Sequence, residues 1–339
     1  ILVSKSVFNP EQLDAIRQFT STRAFDLIYA PGIRPEETNR YNVLPESVYY
    51  QAFLALLTAP SRESFYRQYP LEVSPPTDDR PFFGHFFKWS QAGQVFSELG
   101  KTWQPFGGAG YFVILALLAM AALSAGTLII LPVVITRHYR EPGHPNNSSV
   151  LGTSYILYFG LIGFGFMLVE IPLIQRFILF IGQPAYSLAV VLFSLLLFSG
   201  IGSQLSPKLS LKKALAALAL LLMIIPVLLP GIFGLTIGLP FLSRLLITVI
   251  ILFPIGFLMG IPFSGGILWM RNISASPTMI PWVWAVNGAA SVVASVLAAL
   301  LAISLGFLLV FQIGALCYAG ACIIVMAKEC HPPERLPLP

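Results

Sequence analysis

The chain has 339 residues, 56% hydrophobic and only 10% charged, whereas a soluble globular chain is roughly a quarter charged. That balance points to a membrane protein. Residues 1–106 hold ten of the twenty Lys+Arg and eleven of the fifteen Asp+Glu. Acids and bases nearly cancel there and form no basic stripe, so the formal charge of +5 does not indicate a nucleic-acid partner.

In chain order, Ile1–Lys5 is a short β-branched run that reads as a strand needing neighbours. With no initiator methionine and no signal-peptide pattern, it raises the expectation of a C-terminal part of something longer. Asn9-Pro10-Glu11-Gln12 carries a helix start, with Asn9 as cap, Pro10 at the first helical position and Gln12 reaching back. Leu13, Ile16 and Phe19 give that helix an apolar stripe. Phe25–Tyr29 reads as a second strand closed by Pro31-Gly32, and a second helix is predicted from Glu46 to Leu57.

Ser74-Pro75-Pro76-Thr77-Asp78-Asp79-Arg80-Pro81-Phe82-Phe83 combines turn residues with aromatics. Prolines fix the backbone, and Thr77 or Asp78 can accept backbone N–H bonds. Asp78, Asp79 and Arg80 admit a catalytic or metal-binding reading. The simpler reading is a self-satisfied turn joining a polar segment to the membrane.

Apolar runs then predict spans at 110–135, 151–173, 184–203, 211–230, 240–263, 282–304 and 306–327, each near the roughly 20 residues needed to cross a bilayer. Continuous apolar runs indicate helices rather than barrel strands, which alternate. The expected fold is mainly α, a polytopic helical membrane bundle of about seven spans preceded by a partial α/β soluble segment. Its divisions are the polar segment at 1–90, an interfacial linker at 91–109, the transmembrane domain at 110–327 and a tail at 328–339. With seven spans, Arg137, Arg140, Lys208, Lys212, Lys213, Arg271, Lys328 and Arg335 share one side, and only Arg176 and Arg244 lie near the other. The positive-inside rule puts the eight, and the C-terminus, in the cytoplasm and the polar segment outside.

Within the spans, Glu170 is the ionisable residue at depth, two residues before Pro172. It reads either as a hydrogen-bonding partner of another helix or as a proton- or ion-handling group. Asn287, Ser291 and Ser295 recur every four residues and form one small polar face, suited to interhelical bonding or to lining a path. Gly160, Gly163 and Gly165 suit close helix packing better than a phosphate loop, since they lie inside an apolar run. Trp282 and Trp284 after Pro281 suit an interfacial belt. Cys317, Cys322 and Cys330 read as small apolar side chains rather than as a metal or disulfide framework.

Leu2–Phe8, Phe25–Gly32 and Pro75–Phe83 resemble the closing part of a spermidine-synthase-like domain found in polytopic bacterial membrane proteins. Gly165–Arg176, Gly182–Ser203 and Pro281–Ala298 are similar to the membrane region of the same proteins. The Pro-Thr-Asp-Asp-Arg-Pro stretch is the most specific part. The resemblance implies a nucleotide-fold domain related to aminopropyltransferases and S-adenosylmethionine-dependent methyltransferases, fused to membrane helices in a bacterial plasma membrane. S-adenosylmethionine or its decarboxylated form would be the cofactor of an intact parent. No glycine-rich turn with an acid about twenty residues on occurs here, and no catalytic, cofactor-binding or metal-binding residue carries over. The expected function is membrane anchoring or support of that transferase-type domain. The alternatives are a non-catalytic scaffold that binds other membrane subunits besides the lipid bilayer, and a transporter using Glu170 and the Asn287 face.

Overall fold

The computed structural model describes residues 1–42, 44–93, 109–130, 132, 152–273 and 279–330. Most of the expected linker, the loop bearing Arg137, Arg140 and Glu141, and the tail from residue 331 lie outside the described residues, as does the Cys330 side chain. Two compact units result: Ile1–Pro75 with His85–Trp103, and Pro76–Gly84 with Gln104–Pro339.

The first unit carries α1 (Pro10–Thr22), α2 (Val48–Thr58) and α3 (Arg62–Gln68). The predicted capping box is present. Asn9 Oδ1 accepts the Gln12 N–H at 2.8 Å and Gln12 Oε1 accepts the Asn9 N–H at 3.0 Å. At the other end of this unit, α3 is closed by Lys88, whose Nζ donates to the carbonyls of Tyr66 and Tyr69 at 2.6 and 2.7 Å. A cation there also suits the negative end of the helix dipole.

The α/β expectation is corrected: among the described residues there is no strand. Ile1, Leu2 and Val3 are exposed and belong to no strand, and β-branched residues form a strand only against a neighbouring one. Phe25–Tyr29 likewise belongs to no strand. Its anchor is a side chain, since Asp26 accepts the backbone N–H groups of Arg40, Tyr41 and Asn42 at 2.6, 3.0 and 2.8 Å.

Among its described residues the second unit has seven helices long and apolar enough to cross a membrane, in the predicted order. They are α4 (Ala109–Ala125, continued by a π turn at Gly126–Ile130), α5 (Thr153–Ile181), α6 (Pro184–Leu205), α7 (Leu211–Thr236), α8 (Phe241–Ile273), α9 (Ile280–Leu305) and α10 (Phe307–Cys330). This is a polytopic helical bundle. Three helices run beyond their predicted ends, α5 to Ile181, α7 to Thr236 and α8 to Ile273, and each carries proline within it: Pro172 in α5, Pro226 and Pro230 in α7, Pro254 and Pro262 in α8. In an apolar surrounding the backbone has no water to turn to, so the helix persists around a missing N–H.

α5 is the central element, packed against α9 and α10, while α6 pairs with α8 and α10 with α7. Apolar side chains gain little by leaving lipid for protein, so close contact of small residues drives the packing. A Cβ at Gly202 of α6 would collide with the Phe257 carbonyl, and one at Gly260 of α8 with that of Ser199. Two glycines on facing helices thus let the backbones touch. Elsewhere aromatic rings fill the gaps: Phe180 of α5 stacks on Phe233 of α7 with centroids 4.4 Å apart. Arg244 of α8 donates from Nη1 to the Phe180 carbonyl at 2.8 Å, closing the C-terminal end of α5.

Candidate functional site

The most strongly constrained polar cluster in the bundle unit is built on the Pro76–Gly84 turn. Thr77 and Arg80 face each other across a tight reversal, Arg80 N donating to the Thr77 carbonyl at 2.9 Å and Thr77 N to the Arg80 carbonyl at 3.3 Å. Thr77 Oγ1 also accepts the Arg80 N–H at 3.2 Å, as a turn threonine does. Asp78 and Asp79 sit at the tip, with Asp78 exposed and Asp79 half-buried. The adjacent acids therefore serve different ends.

Asp79 and Arg80 meet the junction of α9 and α10. The helices are separated by Gly306 alone, at φ +90°, a backbone conformation that an L side chain rarely adopts. A Cβ there would also strike the Asp79 carboxylate. Asp79 Oδ1 accepts the Leu308 N–H at 2.8 Å, and its carbonyl accepts the Phe307 N–H at 3.0 Å. Two donors of the first turn of α10, which no residue of that helix can satisfy, are thus met by a residue far back in the chain. Arg80 does the converse, donating from Nη2 to the Ile303 carbonyl in the last turn of α9 at 3.3 Å. The negative side chain lies at the positive end of one helix dipole and the positive side chain at the negative end of the other.

Arg176 of α5 completes the cluster. Its Nη2 donates to Asp79 Oδ1 at 2.6 Å, with the arginine side chain only 10% exposed and Asp79 35%. Arg176 lies five residues before the end of α5, about 7.5 Å inside it. A guanidinium at that depth requires a carboxylate, and Asp79 is the one supplied. Phe82 closes the arrangement by setting its ring 5.5 Å from that of Phe307. Sequence reasoning treated Arg176 as a loop charge. The signal that locates it is the apolar run Phe177–Ile181 beyond it, which continues the helix.

The other polar residues singled out from the sequence fall elsewhere. Asn287 donates from Nδ2 to the Phe159 carbonyl at 3.0 Å, and Ser291 donates to the Gly163 carbonyl at 3.2 Å. Both bonds cross from α9 to α5 where a Cβ on Gly163 would meet the Asn287 backbone. This is the interhelical use of the polar face and of the glycines. Ser295 turns back on its own helix, donating to the Val292 carbonyl at 2.8 Å. Glu170 is half-buried in the middle of α5. It stands eleven residues beyond Phe159, about 16 Å along the helix, so the structure does not bring Glu170 and Asn287 together. Trp282 and Trp284 are the third and fifth residues of α9. Cys317 and Cys322 are free thiols. Among the described residues no group of three or more His, Cys, Asp or Glu could hold a metal ion.

Comparison with protein-family models, curated proteins and solved structures finds no match to this chain. Function therefore rests on what the side chains do.

Proposed function

We propose that this chain is the membrane region of a spermidine-synthase-like protein, anchoring or supporting a transferase-type domain whose cofactor-binding residues lie outside it. One observation carries this reading. The Thr-Asp-Asp-Arg turn, the most specific part of the resemblance, is the stretch whose Asp79 and Arg80 are fastened to the α9–α10 junction and to Arg176. A motif of that kind serves attachment: it fastens its own stretch of chain to the bundle helices.

Loop charges favour a second reading, a non-catalytic scaffold. The positive-inside rule puts the Asp79 end of the bundle outside the cytoplasm, whereas S-adenosylmethionine is a cytoplasmic metabolite. A polar segment on the outer face would act by holding other membrane subunits. Cysteines placed singly at Asp78 and Lys328 and challenged with an impermeant maleimide in intact cells distinguish the two. Labelling at 78 alone supports the scaffold, and labelling at 328 alone supports an anchor with cytoplasmic chemistry. Calorimetry of the purified chain with S-adenosylmethionine and its decarboxylated form should detect no micromolar binding. Clear binding would sink the view that the cofactor-binding residues lie elsewhere.

A further inference from the structure

A cavity of about 430 Å³ opens among α5, α6, α8, α9 and α10, within the size range of about 300–1,000 Å³ typical of small-molecule sites. Two of its lining residues, Leu196 and Trp284, are 68% and 60% exposed and belong to membrane-crossing helices. The opening therefore faces lipid. Phe166, Met167, Met259 and Phe263 supply apolar wall, and no Lys, Arg, Asp or Glu lines the cavity. An ion entering it would go unpaired at a heavy cost, so the occupant is neutral.

The polar part of the lining is selective in a second way. Ser199 already donates its proton to the Leu196 carbonyl at 3.1 Å, Ser291 donates to backbone carbonyls, and Asn287 gives an N–H to Phe159. These three offer a guest mainly acceptors, two hydroxyl oxygens and Asn287 Oδ1, while Ser203 and Tyr318, which also line the cavity, carry hydroxyls able to take either role. A guest hydroxyl, which both donates and accepts, matches that set better than a group that only accepts. Asn287 is the eighth residue of α9, roughly 10 Å from its start, which is deep for a phospholipid headgroup to reach. We propose that this cavity binds a neutral, membrane-dissolved amphiphile whose single polar group is a hydroxyl, donating its proton to the Ser199, Asn287 and Ser291 oxygens while its chain lies along the aromatic wall.

The test uses the full chain in phosphatidylcholine nanodiscs and three diazirine probes of equal chain length: a long-chain alcohol, its methyl ether and the matching carboxylate. Cross-linked peptides are mapped by mass spectrometry. The alcohol should label the cavity walls, with the ether reduced about fivefold for want of one donated hydrogen bond and the carboxylate reduced at least as far. Gly200 lines the cavity, and a Cβ there meets nothing within 4 Å, so Gly200→Leu should fill the space, abolish labelling and leave the unfolding midpoint unchanged. Ser199→Ala, which keeps the shape, should narrow the preference of alcohol over ether. Equal labelling by alcohol and ether on the native chain, labelling by the carboxylate, or labelling that survives Gly200→Leu would each overturn the proposal.

Discussion

The Asp79 carboxylate occupies the space that a side chain at residue 306 would need, and this makes Gly306 the pivot of the α9–α10 junction. The glycine is required twice over, once by its φ of +90° and once by the collision of any Cβ with Asp79. Gly306→Ala should therefore lower the unfolding free energy by about 1–3 kcal/mol, read by denaturant titration in mixed micelles. Gly288, whose added Cβ meets nothing, is the matched control. Gly288→Ala should be neutral or slightly stabilising, since alanine is the better helix former.

Asp79 and Arg176 should respond unequally to removal. Asp79→Ala takes away the cap of α10 and strands a buried guanidinium, at a cost of about 2–4 kcal/mol. Arg176→Gln leaves Asp79 its bond to Leu308 and its partial access to solvent, so a loss of about 1–2 kcal/mol is expected. The double variant should fall well short of the sum, because the two residues share one interaction. Additivity within about 0.5 kcal/mol would mean that the pair is not coupled.

The seven helices were legible because an apolar run long enough to span a bilayer admits few other structures. Their ends were not. The expected spans stop near the roughly 20 residues that cross a bilayer, whereas α5, α7 and α8 continue to Ile181, Thr236 and Ile273. Shortening α5 at Leu173 turned Arg176 into a loop charge and hid the partner of Asp79. That pairing joins residues 97 positions apart, and nothing in the local pattern separates Asp79 from Asp78, which differ only in the side of the turn they occupy. The strands at Ile1–Lys5 and Phe25–Tyr29 were over-read for the opposite reason. Their composition is strand-like, but pairing is a property of neighbours. Asn287 and Gly163 were legible one at a time, as a polar face and a small-residue run, and the structure adds that they meet.

Asp26 predicts a pH dependence in the polar unit. Burial opposes its ionisation, but the backbone donors Tyr41, Asn42 and Arg40 outweigh burial and hold its carboxyl below the ordinary 3.8. A carboxylate with a depressed folded pKa contributes stability above its unfolded value, and that contribution is lost as pH falls through the folded one. The 40–42 segment should stay protected from neutral pH down to the ordinary carboxylate range and loosen below it. Amide hydrogen exchange at Tyr41 and Asn42 reads this directly. Asp26→Ala should expose both amides at every pH and remove the acid transition, whereas an unchanged transition in that variant would assign it to another group.

The glycines of α5 provide a comparison in which position, not residue type, decides the sign. Gly163 stands against α9, where a Cβ would meet the Asn287 backbone and lie 3.1 Å from Ser291 Oγ; Gly160, one turn earlier, would find only Val286 Cγ1 at 3.9 Å. Backbone cannot yield as a flexible side-chain tip can, so Gly163→Ala must push α9 away and stretch the Asn287 and Ser291 bonds to α5. A loss of about 1–3 kcal/mol is expected. Gly160→Ala gains an ordinary van der Waals contact and a better helix former, and should be neutral or stabilising by up to about 1 kcal/mol. Equal effects at the two positions would show that α5 and α9 approach less closely than the Asn287–Phe159 bond requires.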